Sequence, residues 1–515
     1  MKRMKNILII ALFCLIFAPK AWSQDVWIND LTSLFLSNNA IIYVLNIRTF
    51  NADDKNQNGI IEEELGEESG SFLNAINRLD ELKAYGINTI HVLPITPVGK
   101  IKAMGTAGSL YAASSFNEIN PQLKSKNSKL TVEAQAQQFI NECHRRKIRV
   151  IVDLPSCGSY DLYLKNPDLF KKDKAQNPVI PADWTDVRLL DAGTDKKINM
   201  DVYDLYAEFV DLMVSLDVDG IRADVATIKP YAFWKKLIAE TKARNPQFLF
   251  LAEASNSWKE APSEYAEFTP YNRLLDAGFD GYYGSYFNLK NWKTSQELFS
   301  NIKFNIDLSK KYSGTKSVIG SFSTHDEVSP ILVNGTQFSK MIIWLNATLP
   351  LNPYFVDGFQ TGDDYIYPWA NKKAARTFTD DDYYFAHRGK LDIFNFSRKP
   401  TGKHNDIIQD LIMANKFKTF SKDILSKGTF VQLKTSSPTT FAYARSLNNQ
   451  TVIVIGNLDF QNSLDIKVYV PNLTNEIISV PIRILNIPEI KKGKILTKLN
   501  PGDVQVLLFN GLNLK

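Results

Sequence analysis

Short apolar runs alternate with stretches of helical period along most of this chain. Ala40–Phe50 is almost continuously apolar and rich in β-branched residues, the composition of a strand buried on both faces. Phe72, Ile76, Leu79 and Leu82 then recur at helical spacing as far as Gly86, and Ile87–Leu93 predicts a second strand. Val132, Ala136, Phe139, Ile140 and Cys143 mark the next helix, and Arg149–Asp153 the third strand. A helix with Leu205, Phe209, Leu212 and Leu216 on one face runs into a strand over residues 218–224. Pro230 then opens a further helix, and Phe248–Glu253 reads as the fifth strand. Gly281–Leu289, Ser317–Asp326 and Leu349–Asp364 supply the sixth, seventh and eighth. This alternation predicts an α/β fold, a (β/α)8 barrel, whose chemistry sits at the carboxyl ends of the strands. The long polar stretch 154–199 predicts a small excursion after strand three.

The texture changes near Gly428. Thr429–Gln432, Thr439–Arg445, Thr451–Asn457, Ile466–Val470 and Asp503–Phe509 are short alternating runs divided by Asn, Ser, Pro and Gly, which predicts an antiparallel β domain. Met1–Ser23 carries Lys2, Arg3 and Lys5, then the apolar run Ile7–Phe17, then Ala21-Trp22-Ser23, the pattern of a cleaved secretory signal. The expected organisation is therefore a signal peptide over 1–23, a barrel over 24–427 with an insertion at about 154–199, and a C-terminal β-sandwich over 428–515. A secreted or periplasmic protein is expected, with no membrane span once the signal is cleaved, because no other apolar stretch reaches the ~20 residues a spanning helix needs.

Charge narrows the partners. Removing the signal's four cations (Lys2, Arg3, Lys5 and Lys20) from the formal +5 leaves about +1, which points to neither nucleic acid nor a membrane surface. Cys143 and Cys157 remain, and both are expected to be free thiols. They fall near opposite ends of the third strand, roughly 15 Å apart at ~3.3 Å per residue, whereas a disulfide needs Cα atoms within about 7 Å. The oligomeric state is not legible.

Two stretches carry candidate chemistry. In Asp54-Lys-Asn-Gln-Asn-Gly-Ile-Ile-Glu62, oxygen side chains stand at alternate positions and a glycine falls where a loop must turn sharply around a hard cation. Asp54, Asn56, Asn58 and Glu62 would supply side-chain oxygens and Ile60 a carbonyl to calcium; an ordinary Asn/Gly turn is the alternative, and Leu65 stands where a calcium loop usually ends in glutamate. In Val218-Asp-Gly-Ile-Arg-Ala-Asp224, alternation puts Arg222 and Asp224 on one face, as either a structural ion pair or part of a catalytic site. Glu253 and Asp326 end two further strands, so three acids gather on one rim, with His325 beside the last. Tyr111, in an aperiodic loop, is either a sugar-stacking platform or a packed aromatic.

Gly220-Ile-Arg-Ala-Asp224, Glu253 after its apolar strand and Ser323-Thr-His-Asp326 resemble three signature regions of the α-amylase family of glycoside hydrolases, and Asp153 after Arg149-Val-Ile-Val resembles the fourth. The resemblance implies a retaining enzyme acting on α-glucans or maltooligosaccharides through a covalent glycosyl-enzyme. It implies Asp224 as nucleophile, kept ionised by Arg222, with Glu253 as general acid/base and Asp326 holding the distorted ring. His325 would bond the sugar, Tyr111 would stack on it, and Asp153 completes the substrate-binding set. Where the family has Asn and His after the region-one aspartate, this chain has Cys157 and Gly158, and Thr227 and Ile228 replace a polar pair beyond Asp224. Val225 resembles some α-1,6-acting relatives. The alternatives to hydrolysis are glucan transglycosylation, an α-1,6-acting glucosidase, or a low-activity sugar-binding relative.

Overall fold

The structure is a computed structural model that describes residues 27–56, 61–103, 108–181, 184–364, 402–477 and 479–515. The signal-like Met1–Ser23, and Asn58 and Ile60 of the candidate calcium loop, lie outside the described residues.

Eight parallel strands make the central sheet: β1 (Ile42–Leu45), β2 (Thr89–Val92), β3 (Arg149–Leu154), β4 (Gly220–Ala223), β5 (Leu249–Ala252), β6 (Gly281–Tyr282), β7 (Ser317–Val318) and β8 (Tyr354–Val356). Their order is β8-β1-β2-β3-β4-β5-β6-β7, every pairing parallel. The ring closes just beyond β7 through a parallel bridge between Ile319 and Asn352. There Asn352 N donates to Val318 O at 2.9 Å and Gly320 N to Asn352 O at 2.8 Å. The result is the expected (β/α)8 barrel.

The outer helices form where local chemistry favours them. Val132–Arg145 begins at Thr131, whose side chain accepts from Ala134 N, and it buries Val132, Ala136, Phe139, Ile140 and Cys143 as expected. Ser295–Lys311 opens with a capping box between Thr294 and Glu297. Met200–Ser215 differs from expectation in its facing. Its deepest side chains are Val202, Tyr206, Phe209, Val210 and Met213, while Leu205 and Leu212 are only partly buried. The helix is apolar over a wide stripe, and the bulky Tyr206 and Phe209 take the inner positions.

Three further expectations change. The single helix over Phe72–Leu82 divides into Phe72–Ile76 and Leu79–Ala84, and Arg78 at the break donates to Phe50 O and pairs with Glu81 and Asp357. Strand six stops at Tyr282 because the chain turns at Gly284, φ 66°, where a Cβ would meet Val318 Cγ2 at 2.8 Å. Strand seven stops at Val318 because Ser321 N and Phe322 N bond back to Ile319 O and Gly320 O in tight turns, leaving 319–326 as a loop.

The excursion after β3 holds a two-stranded antiparallel sheet of Cys157–Ser159 and Val187–Leu189, with a helix at Tyr160–Lys165. Cys143 and Cys157 are both buried free thiols. Beyond the barrel, five antiparallel strands form one sheet in the order 429–432, 440–447, 450–457, 504–510, 479–483. A second sheet of four runs in the order 434–435, 464–469, 494–499, 489–491. Ala442, Ala444, Ile453 and Ile455 face the second sheet, while Phe441, Tyr443, Val452 and Val454 join the barrel's own core. Among the described residues, no helix is long and apolar enough to cross a membrane.

Candidate active site

Strand period and barrel closure put the acids together. Arg222 is on β4 and points inward, fully buried, and Asp224 follows where β4 leaves the sheet. Glu253 follows β5, and His325 and Asp326 lie in the loop after β7. A cleft of about 570 Å3 opens at this end, and Tyr111, Asp224, Glu253, His325 and Asp326 all line it. Asp153 and Arg222 form its buried floor.

Arg222 organises the floor. Its Nη1 donates to both Asp153 oxygens at 2.8 and 2.9 Å and to Asp224 Oδ1 at 3.1 Å. Its Nη2 lies 2.9 Å from Glu253 Oε1, and its Nε donates to the Tyr283 hydroxyl at 3.0 Å. One guanidinium therefore reaches three carboxylates, a geometry its planar fork suits. Tyr111 OH donates to Asp153 Oδ2 at 2.8 Å and meets His325 Nε2 at 2.8 Å, its ring stacked on the imidazole. His325 Nε2 also stands 3.3 Å from Asp326 Oδ2.

Asp224 and Glu253 differ in their surroundings. Asp224 Oδ2 accepts from the Ser156 hydroxyl at 2.6 Å and from Ser156 N at 3.1 Å, and the Ser156 carbonyl is fixed in turn by the buried Lys229 ammonium at 2.7 Å. Glu253 Oε2 accepts one backbone bond, from Val225 N at 2.6 Å. Val225 adopts φ 34°, ψ 52°, strained for a β-branched residue, and this conformation turns its N–H toward Glu253.

Burial drives the titration of both groups. It pushes Glu253 up to about 8, against the pull of Arg222 and with help from the negative Asp224 and Asp326. Burial also raises Asp224, against Arg222 and Ser156. Arg222 alone thus does not set the charge of Asp224 as the sequence suggested. Both carboxyls are thus raised, and the negative Asp224 helps raise Glu253, so the proton sits better on Glu253, which has fewer donors. Asp153 is held low despite burial by Arg222 and then His91. His91 itself is depressed by burial and hydrogen-bonds the Tyr354 hydroxyl through Nδ1 at 3.0 Å.

Ser156, Tyr283, His91 and the backbone of Val225 were not legible as site groups, nor were Trp184 and Trp258, which line the cleft. Ser156 alone left a trace, a hydroxyl three residues past Asp153 on the same rim. The departures noted in sequence have physical partners. Cys157 is buried in the cleft wall with its thiol pushed up to about 12, and a Cβ at Gly158 would come within 2.8 Å of the Phe170 ring.

The described residues of the Asp54–Glu62 loop do not line this cleft. Asn56 Nδ2 donates to Glu62 Oε2 at 2.8 Å, so two of the expected ligands meet. The buried Glu67 braces the loop by accepting from Lys55 N, Asn56 N and Glu62 N at 2.9, 3.4 and 2.9 Å. Among the described residues no cluster of three or more His, Cys, Asp or Glu is placed to hold a metal.

A closed parallel barrel with buried acids converging on one arginine at its carboxyl end defines a barrel enzyme with a carboxylate site. No family model matches the chain. It is 23% identical over 432 residues to the α-1,4-glucan:maltose-1-phosphate maltosyltransferase of Arcanobacterium haemolyticum, covering 78% of this chain and 57% of that protein. It is 27% identical over 325 residues to α-amylase 2 of Dictyoglomus thermophilum, covering 60% of this chain and 52% of that protein. The chain thus spans about half the length of these curated relatives. An α-amylase structure from Lactobacillus plantarum superposes with a TM-score of 0.66 at 18% identity, over 92% of this chain and 99% of that one. A maltogenic α-amylase from Thermotoga neapolitana gives 0.65 at 18% identity over the same shares. The matched relatives also include a cyclomaltodextrinase of Geobacillus thermopakistaniensis and a maltogenic α-amylase of Bacillus acidopullulyticus, so these likenesses support the resemblance to the α-amylase family.

Proposed function

We propose that the protein is a secreted or periplasmic retaining glycosidase that cleaves α-glucosidic bonds in neutral α-glucans or maltooligosaccharides. The observation that carries this is the unequal pair of carboxyls on Arg222: Glu253 raised to about 8 with one backbone donor, and Asp224 held by Ser156 and the guanidinium. Glu253 protonates the departing glycosidic oxygen while Asp224 attacks the anomeric carbon and forms a glycosyl ester. Glu253, now ionised, then takes a proton from the water that releases the sugar. Asp326, 40% exposed at its side chain, is free to bond ring hydroxyls, and His325 and Tyr111 complete the sugar's seat. Trp184 and Trp258 offer stacking faces along the cleft.

The cleft's charge favours neutral sugars. Among the described wall residues stand six carboxyls (Asp186, Asp224, Glu253, Glu260, Asp326 and Glu327) and no lysine or arginine, and the cation beneath them, Arg222, is already engaged by Asp153, Asp224 and Glu253. A phosphate-bearing donor, such as the maltose 1-phosphate in one relative's name, would meet repulsion there. Transfer to a sugar acceptor shares the same covalent intermediate, and Val225 leaves α-1,6 bonds open as targets. Assays on maltooligosaccharides, isomaltose, pullulan, starch and α-maltose 1-phosphate test the reading. Turnover of at least one neutral substrate is expected. Turnover of maltose 1-phosphate alone would reverse the substrate class, and none at all would favour the sugar-binding alternative.

We further propose that the 54–62 loop holds one calcium ion for stability, remote from the chemistry. Its donors are all oxygens, as a hard cation requires, and Asn56 and Glu62 already meet. Chelation is expected to lower the melting temperature by roughly 3 °C or more. Coincident melting of chelated and calcium-loaded protein, with Asp54→Ala silent, would leave the loop an ordinary turn.

A further inference from the structure

A second cavity, of about 630 Å3, lies between the barrel and the C-terminal domain, near the start of β7 and remote from the acids. Among the described residues its lining is basic: Lys303, Lys310, Lys316, Lys427 and Arg445 against one carboxylate, Asp307. Asp307 is already bound to Lys303 at 2.6 Å, and Lys427 pairs with Asp423 at 3.1 Å. Lys316 donates to Phe279 O at 2.6 Å.

Arg445 is the unusual member. It lies on the strand Thr440–Leu447, on the same face as Phe441 and Tyr443, so the apolar row that packs on the barrel continues into an arginine. It is 2% exposed. Its Nη2 donates to Gly428 O at 2.9 Å, but among the described residues Nε and Nη1 have no hydrogen-bond partner. No carboxylate pairs with it among the described residues, and burial depresses it to about 10. A second buried basic group adds to the field, because Lys418, 1% exposed and bonded among the described residues to the Ala347 and Leu351 carbonyls, is depressed to about 7 by burial and by Arg445 itself. Leaving one buried charge uncompensated is costly, and two adjacent like charges compound it.

We propose that this cavity is a binding site for a small phosphate-bearing anion, anchored by Arg445 and flanked by Lys310 and Lys316. The anion supplies the missing counter-charge to Arg445, a guanidinium being the group best suited to bind phosphate oxygens. The site joins the C-terminal sheet to the barrel, so occupancy stabilises the full chain.

Melting of the whole protein in phosphate against chloride at matched ionic strength tests it. The wild type is expected to melt roughly 3 °C or more higher in saturating phosphate. Arg445→Met, which replaces an uncompensated buried charge with an apolar chain, is expected to fold and to lose that gain. Lys310→Gln, an exposed change that cannot unfold the protein, is expected to weaken phosphate binding by about threefold or more in calorimetric titration. Glucose 6-phosphate binding about tenfold tighter than phosphate would assign the site to a sugar phosphate, and equal affinity to the inorganic ion. Equal melting in chloride and phosphate, an undiminished gain in Arg445→Met, or an unchanged affinity in Lys310→Gln would each overturn the proposal.

Discussion

Asp224→Ala is expected to abolish turnover of every α-glucoside, by more than about 10⁴-fold in kcat, because it removes the only route to a glycosyl ester. The substitution also removes a partner of Arg222 and of the Ser156 hydroxyl, so the fold must be checked by melting. Arg222 keeps Asp153 and Glu253, which should hold the floor together. Activity that survives Asp224→Ala would assign the attack to another group.

Glu253→Ala is expected to behave differently. Natural substrates need their leaving oxygen protonated, so turnover should fall by about 10²–10⁴-fold. Fluoride and nitrophenolate depart without a proton, so activated glucosides should still form the ester, and azide should restore its release. The pH profile adds an independent check. Glu253 is raised to about 8, so it carries its proton below that pH and loses it above. For natural substrates kcat/KM of the wild type should therefore fall as pH rises through about 8, and in Glu253→Ala acting on a glucosyl fluoride that limb should be absent. A basic limb that persists in the variant would place the acid elsewhere.

The contrast between what the sequence revealed and what it concealed follows from the range of the forces involved. β1 and the middle of β3 were legible because both faces are buried, which leaves apolar runs, whereas in β2 the buried Thr89 and His91 alternate with Ile90 and Val92. β6 and β7 were overextended because only two residues of each pair in the sheet, and the turns at Gly284 and at Ser321–Phe322 leave no apolar or polar period. Asp224 and Glu253 were legible because each directly follows a buried strand, and Asp326 through Ser323-Thr-His-Asp326, although it lies in the loop beyond β7. The roles of Ser156, Tyr283 and His91 were not, since each depends on a contact across strands far apart in sequence. Val225 illustrates the limit: its N–H reaches Glu253 only through a positive φ that nothing in its identity favours. Arg445 shows the same limit in the C-terminal domain, where only tertiary packing showed that it is buried and that no acid among the described residues pairs with it.

The covalent route through Asp224 is tested most directly by trapping it. A 5-fluoro-α-glucosyl fluoride slows release of the sugar more than its attachment, so the enzyme should accumulate as a glycosyl ester that peptide mass analysis can locate. The expected result is time-dependent inactivation with one sugar on the peptide that contains Asp224. Turnover without any trapped ester, or a label on Glu253 or Asp326, would contradict it.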